Sequence, residues 1–105
     1  MDIAAGAQLV STGEITFASG AAVTFRGFNR TPIQCNTLVF TDATTTTFAF
    51  ESDEVFENGR YVIASLSNNT PPMDYTSLIL SGSAISGKTA RLEWDASELV
   101  LVVED

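Results

Sequence analysis

The amino-acid sequence contains no histidine and only one lysine, Lys88. Histidine is the commonest general base, metal ligand and triad partner, so its absence excludes the most frequent catalytic arrangements. A serine hydrolase would then need a lysine base, yet Lys88 lies in a turn rich in glycine and serine. The sequence therefore predicts a protein that is not an enzyme, with no catalytic residue, no cofactor and no metal site.

Cysteine is nearly absent as well. Cys35 is the single cysteine, so no disulfide can form within one chain. It lies between Gln34 and Asn36, and no histidine can activate its thiol. We expect a buried or inert thiol rather than a nucleophile.

Long apolar runs are also missing. The longest, Leu99–Val103, has the length of a strand and is far shorter than the roughly 20 residues of a membrane-spanning helix. Residues 1–6 offer neither a basic segment nor a long apolar one, which predicts no signal peptide. The protein either stays where it is made, or Met1 begins an excised piece of a longer exported chain. No insertion into a membrane is expected.

Basic residues are few, because 13 acidic residues stand against five basic ones and the net charge is −8. Nucleic acids and anionic membrane surfaces are bound through basic patches, so neither is an expected partner. Four of the carboxylates fall within residues 51–57. We interpret them as a solvated acidic loop, and a calcium site formed by Asp53, Glu54 and Glu57 is the alternative.

The sequence does contain a recurrent alternation of apolar and polar residues, interrupted by glycine, serine, asparagine and proline. This pattern predicts an all-β fold of about eight short strands in one domain, residues 1–105, built as a β-solenoid or a β-sandwich. The predicted strands cover residues 14–17, 23–26, 37–40, 46–51, 60–66, 77–80, 89–95 and 99–103. Asp95–Ser97 is the predicted hairpin turn, and the loop 67–74 with its two prolines is expected outside the sheets.

The same alternation predicts which side chains face the core. Phe48 and Phe50 fall on one face of their strand. Leu92 and Trp94 share a face of the strand 89–95, opposite charged residues, and are predicted core residues.

Residues 82–89 match the spacing of a phosphate-binding loop, which ends here in Gly87, Lys88 and Thr89. Such a loop binds phosphate because it opens a helix. The residues that follow, 90–95, alternate as a strand instead. We therefore interpret the match as accidental.

An internal echo links residues 3–9 to residues 17–23, since both segments have apolar, small, small, Gly, Ala and apolar residues in corresponding places. The copies are 14 residues apart. This spacing is compatible with the rungs of a β-solenoid.

Three phrases of the second half, residues 58–65, 80–87 and 89–103, combine Gly-x-Tyr, a Ser-Gly phrase, Trp-Asp before a short turn and a closing apolar strand. Together with residues 13–25, they resemble the last rungs of bacterial autotransporter passengers and their autotransporter-associated strand repeats. The resemblance covers roughly two thirds of the chain. The chain departs from that pattern by lacking a signal peptide and by inserting Pro71-Pro72.

The resemblance implies a β-solenoid segment that displays or caps a surface protein. The expected function is that of a non-catalytic structural or adhesive domain of a surface-displayed or secreted protein, acting by self-association or scaffold display outside the cell or on its surface. The alternative is a phage capsid decoration or coat subunit that binds a virion lattice. A start codon beside capsid genes would favour the virion protein, and codons continuing upstream of Met1 would favour the surface protein.

Association is the expected mode of action, because a solenoid leaves an uncovered rung at each end and an open sheet leaves unpaired edges. The last predicted strand carries no charge or proline before Glu104, so it is expected to be central, covered or paired with another chain. The predicted association residues are Leu99, Val100, Leu101, Val102 and Val103. The expected partners are copies in a homo-oligomer, or neighbouring repeats or subunits of the same assembly. The small residues Ala4–Ala7 are a second predicted docking surface.

Overall fold

The chain winds into a three-sided β-solenoid whose successive turns stack in parallel. The structure, a computed structural model, describes residues 2–3, 7–26, 31–53 and 55–105. The eleven strands within these ranges are β1 (Asp2–Ile3), β2 (Leu9–Val10), β3 (Glu14–Phe17), β4 (Ala22–Phe25), β5 (Ile33–Cys35), β6 (Thr37–Phe40), β7 (Thr47–Phe50), β8 (Gly59–Leu66), β9 (Ile79–Ser81), β10 (Thr89–Asp95) and β11 (Glu98–Glu104). Short 3-10 turns occupy Ala43–Thr45, Tyr75–Ser77 and Ser83–Ile85, and no helix of the described residues is long and apolar enough to cross a membrane.

Each side of the solenoid is one sheet. Side A has the order β1-β4-β7-β9, side B has the order β2-β5-β8-β11-β10, and side C consists of β3 and β6. Neighbouring strands are parallel, except that β11 runs antiparallel to both β8 and β10. The all-β prediction is confirmed, and parallel stacking on three sides is the architecture of a solenoid rather than a sandwich.

The first turns repeat every 22 to 25 residues. The aligned pairs are Asp2 with Thr24, Leu9 with Ile33, Glu14 with Thr37, and Ala22 with Thr47. The interpretation of the 14-residue echo as solenoid rungs is therefore wrong. Ile3 aligns with Phe25 on side A, whereas Phe17 lies on side C. Three strands and their corners need more residues than the echo supplies.

Phenylalanine side chains from adjacent turns stack on one another inside the solenoid. Phe25 and Phe50 are register partners whose rings stack with their centroids 5.2 Å apart. Phe17 and Phe40 stack in the same way at 5.8 Å. Phe48 contacts Phe17, Phe25 and Phe40 edge-on and is fully buried. The prediction that Phe48 and Phe50 share the inner face is confirmed, and the aromatic cluster joins side A to side C.

The other two predicted core residues are buried to different depths. Leu92 is buried, and Trp94 is partly buried and packs against the core. Cys35 is buried as expected, and this burial raises the pKa of its thiol, which makes the reactive thiolate scarcer.

The predicted hairpin turn is confirmed as a two-residue connection between β10 and β11. Ala96 and Ser97 have φ angles of 45° and 73°, and Asp95 pairs with Glu98. Two successive positive φ angles are those of a type I′ turn, whose twist suits a hairpin. This hairpin reverses the chain and ends the parallel stacking on side B.

Candidate functional site

The predicted association strand lies in the middle of its sheet. β11 is paired with β10 along one edge and with β8 along the other, and Leu99–Val103 are all buried. The strand is thus central, one of the three arrangements expected from its sequence, and neither of its edges is free to pair with another chain. The absence of charge that suggested an interface has another cause. Leu99, Leu101 and Val103 face the core, and the remaining two valines are covered from outside.

That outer cover is a network of ion pairs. Glu93 accepts a hydrogen bond from Arg60 at 2.9 Å and another from Arg91 at 2.8 Å, and Arg91 reaches Glu104 at 3.1 Å. Arg60 and Arg91 are both register partners of Val102, so their aliphatic stems flank it. Hydrogen bonds from Arg60 and then Arg91 lower the pKa of Glu93. This surface of side B is consequently charged and satisfied within the chain.

Side C is closed at the same end by the proline-containing loop. Asn68 donates its backbone N–H to the carbonyl of Asn36 at 3.1 Å and its side-chain amide to Thr37 at 3.0 Å. Beyond it, Pro71 and Pro72 have no N–H and cannot continue a ladder beside β6. The loop lies outside the sheets, as predicted, and leaves a shallow depression of about 240 Å³ beside β6.

Side A ends at β9, after which the chain turns away sharply. Gly82 has a φ of 119°, and a β-carbon there would collide with the backbone of Phe50. Ser83 then donates its hydroxyl and its backbone N–H to the Glu51 carboxylate at 2.6 and 3.0 Å. These hydrogen bonds lower the pKa of Glu51. They fix the turn Ser83–Ile85 against the end of β7.

A cavity of about 490 Å³ lies between β9 and β10. It is lined by Tyr75, Thr76, Leu78, Leu80, Ala90, Arg91 and Leu92. Its one charged group is the Arg91 guanidinium, which Glu93 and Glu104 already bind. The cavity therefore has a lining of mixed polarity that contains no carboxylate, no thiol and no uncommitted cation.

The segment that resembles a phosphate loop is built differently. Lys88 is followed by strand β10, as predicted, and its ammonium group binds Asp105 and Asn58. The backbone N–H groups of Ser86 and Lys88 donate within the turn, to Ser83 and Ile85. The segment contains the short 3-10 turn Ser83–Ile85, and a strand rather than a helix begins after Lys88, where a phosphate loop would need a helix N-terminus.

The acidic loop has no metal-binding grouping in the part of the chain that the structure describes. Glu51 is bound by Ser83, and Asp53 is exposed. Glu54, a ligand in the calcium alternative, lies outside the described residues.

The opposite end of the solenoid is open. β1, β2 and β3 are each paired on one side only, with β4, β5 and β6 of the second turn. Among the described residues, nothing pairs with their other edges. Ala7 lines a depression of about 200 Å³ at this end, together with Ile3 and Leu9, while Ala4–Gly6 of the predicted docking surface lie outside the described residues.

The three open edges differ in charge. On β1, Asp2 binds Arg26 with both carboxylate oxygens at 2.9 Å. On β3, Glu14 accepts a hydrogen bond from the Thr16 hydroxyl at 2.9 Å. Residues 7–13, which contain β2, carry no ionisable side chain, and Val10 is 60% exposed. In the sequence, the feature that marks this edge is the uncharged stretch 7–13. This stretch is too short to show the alternation of apolar and polar residues that predicts a strand.

Comparisons with known proteins identify no relative: no family model matches the chain, and neither a curated protein nor a solved structure matches it. The arrangement of its own residues is therefore the basis for a functional argument.

Proposed function

We propose that this chain is a non-catalytic structural β-solenoid domain that acts by self-association through its first turn, as a scaffold or adhesive element of a surface-displayed or secreted protein. The observation that carries the proposal is the difference between the two ends. Among the described residues, the first turn presents three strands with one unpaired side each. The last turn is covered by a hairpin, by prolines and by ion pairs.

Unpaired strand edges favour pairing because their N–H and C=O groups need partners. A terminal repeat that is closed on its outer side and open on its inner side is the usual form of a solenoid cap. The other features support a structural role. The net charge of −8 does not favour nucleic acid, and the cavity between β9 and β10 contains no carboxylate, thiol or uncommitted cation.

Light scattering on the intact chain tests this proposal. We expect a mass that rises with concentration above the 11.2 kDa of one chain. The double variant Val10→Lys/Thr16→Lys, at exposed or partly exposed positions of the open turn, should abolish the rise by adding like charges at the interface. The matched variant Ile79→Lys/Thr89→Lys, at the closed end, should leave it intact. A mass of 11.2 kDa at every concentration would contradict self-association.

A further inference from the structure

The strand edges of the described residues are protected in different ways, and β2 is the exception. β1 and β3 carry Asp2 and Glu14, and β10 carries Arg91 and Glu93. β9 is only three residues long and lies between two 3-10 turns, and β6 is flanked by the proline-containing loop. Charge, short length and proline are the usual protections of an edge strand. β2 is shorter still and carries an exposed apolar residue, Val10, as β9 does with Ile79. Unlike β9, it is not enclosed between two 3-10 turns, and its backbone hydrogen bonds continue into the segment leading to β3.

One residue of β2 directs its backbone N–H and C=O groups away from the sheet. The N–H groups of Leu9 and Ser11 donate to the second turn, to Pro32 at 2.7 Å and to Gln34 at 2.9 Å. Because successive residues of a strand direct their N–H and C=O groups to opposite sides, those of Val10 point away from β5. The outward donor and acceptor therefore lie at the centre of the uncharged stretch 7–13.

We infer that two copies of this chain pair through β2, antiparallel and around a two-fold axis at Val10, which joins their five-stranded B sheets into one. This inference rests on the proposed function and names the partner and the contact. A residue on such an axis lies opposite itself, so the two copies of Val10 exchange a pair of backbone hydrogen bonds. Their exposed side chains then cover each other on the outer face of the sheet.

Charge limits where a second copy can bind. Each copy carries a net charge of −8, which opposes contact through most of the surface. The stretch 7–13 contains no ionisable group, so self-pairing there brings no like charges together at the axis. The depression lined by Asp2, Ile3, Ala7, Gln8 and Leu9 lies at the same edge. Its one carboxylate, that of Asp2, is bound by Arg26 within the chain.

Head-to-tail stacking cannot continue the sheet of side B in parallel. On side B the far end of the sheet is β10, which runs antiparallel to its neighbour and carries Arg91, Glu93 and Asp95. The two-fold arrangement instead uses the same edge of both copies and leaves none over, so it stops at a dimer.

Two variants of the intact chain test the inference. Val10→Lys places two ammonium groups opposite each other and should weaken the dimer by about tenfold or more. Ile79→Lys is the matched control, because Ile79 is an exposed apolar residue on the edge strand of the closed end. It should leave the dimer dissociation constant unchanged. Circular dichroism should show that both variants retain the wild-type fold.

Cross-linking gives a second readout. In a Cys35→Ser background, Val10→Cys treated with a short bis-maleimide should yield a covalent dimer linked at position 10, and Ile79→Cys should not. Monomeric wild-type protein would overturn the proposed function together with this inference. Association that survives Val10→Lys, or that gives no cross-link at position 10, would overturn only the inference that two copies pair through β2. The proposed function would still stand if Val10→Lys/Thr16→Lys abolished association.

Discussion

The two ends of the solenoid are built from the same kind of strand and finish differently. At the first turn, β2 pairs with β5 along one edge, and its other edge faces solvent. At the last turn, β8 pairs with β11, and the hairpin places the charged strand β10 at the outer edge of the sheet. Parallel stacking has no intrinsic end, because each strand pairs with the previous turn along one edge and leaves its opposite edge unpaired for the next turn. Reversal of the chain direction at Ala96 and Ser97 ends the stacking on side B.

The comparison also separates two meanings of an uncharged strand. Leu99–Val103 and the stretch 7–13 both lack charge. The first is buried between two partners and covered by ion pairs, and the second lies at an edge with Val10 exposed. Absence of charge therefore indicates either a central strand or an adhesive edge, and only the pairing tells them apart.

The largest expected effect is the difference in stability loss between a fully buried leucine near the closed end of side B and a partly buried leucine at its open end. Leu101 is fully buried in β11, and Leu9 is partly buried in β2. Leu101→Ala should reduce the free energy of unfolding by about 2–5 kcal/mol, because it leaves a cavity in the closed end. Leu9→Ala should cost clearly less in the monomer. Urea denaturation of both variants measures the difference, and equal losses would contradict the account of an open first turn.

A second contrast uses two glycines. Gly82→Ala places a β-carbon against the backbone of Phe50 at a φ of 119° and should cost about 1–3 kcal/mol or more. Gly13→Ala is the matched control at the open end, where a β-carbon meets nothing within 4 Å. Thermal unfolding should show a lowered Tm for the first variant and little change for the second. A Tm for Gly82→Ala equal to that of the wild type would show that the backbone around residue 82 shifts to accommodate a β-carbon.

The hairpin can be strengthened at its turn. Ala96 has a φ of 45°, a left-handed conformation that costs a residue with a β-carbon about 1–2 kcal/mol. Asn tolerates this conformation better and is favoured in type I′ turns. Ala96→Asn should therefore stabilise the chain by about 0.5–1 kcal/mol. Chemical denaturation measures the gain, and destabilisation would show that Ala96 makes a contact that the turn geometry does not explain.

Acid should loosen the closed end. Hydrogen bonds from Ser83 hold the pKa of Glu51 below its ordinary value of 4.5. A depressed pKa means that the ionised carboxylate stabilises the folded chain at neutral pH, and that this contribution is lost as the pH falls from 4.5 through the lower folded pKa. Glu51→Gln should flatten the fall of Tm with pH in that range. An unchanged pH profile would show that the hydrogen bonds to Ser83 add no acid sensitivity.

Local sequence patterns predicted the longer strands and missed what depends on distant pairing. All eight predicted strands are present with shifts of one or two residues at their ends, because alternation is a property of each segment alone. β1, β2 and β5 were missed, since two or three residues are too few to alternate. The solenoid itself rests on pairs such as Asp2 with Thr24, which no local pattern records.

The candidate site was harder to predict than the fold. Its strand, β2, has two residues, and its outward backbone becomes visible only when Leu9 and Ser11 are seen to bind the second turn. The sequence instead indicated Leu99–Val103, because a strand without charge or proline is expected to be central, covered or paired with another chain, and its neighbour across the Asp95–Ser97 turn covers only one side. The hairpin with β10 and the antiparallel pairing with β8 place that strand at the centre.

Residue-resolved amide hydrogen exchange at low and high protein concentration tests the central claim most directly. The account predicts that Leu101 is protected at both concentrations, since β11 has partners on both sides. It predicts that the Val10 amide exchanges fast in dilute protein and becomes protected when the chain associates. Protection of Val10 in the dilute monomer, or protection that appears with concentration at β10 instead, would contradict the claim that the first turn is the open, associating end.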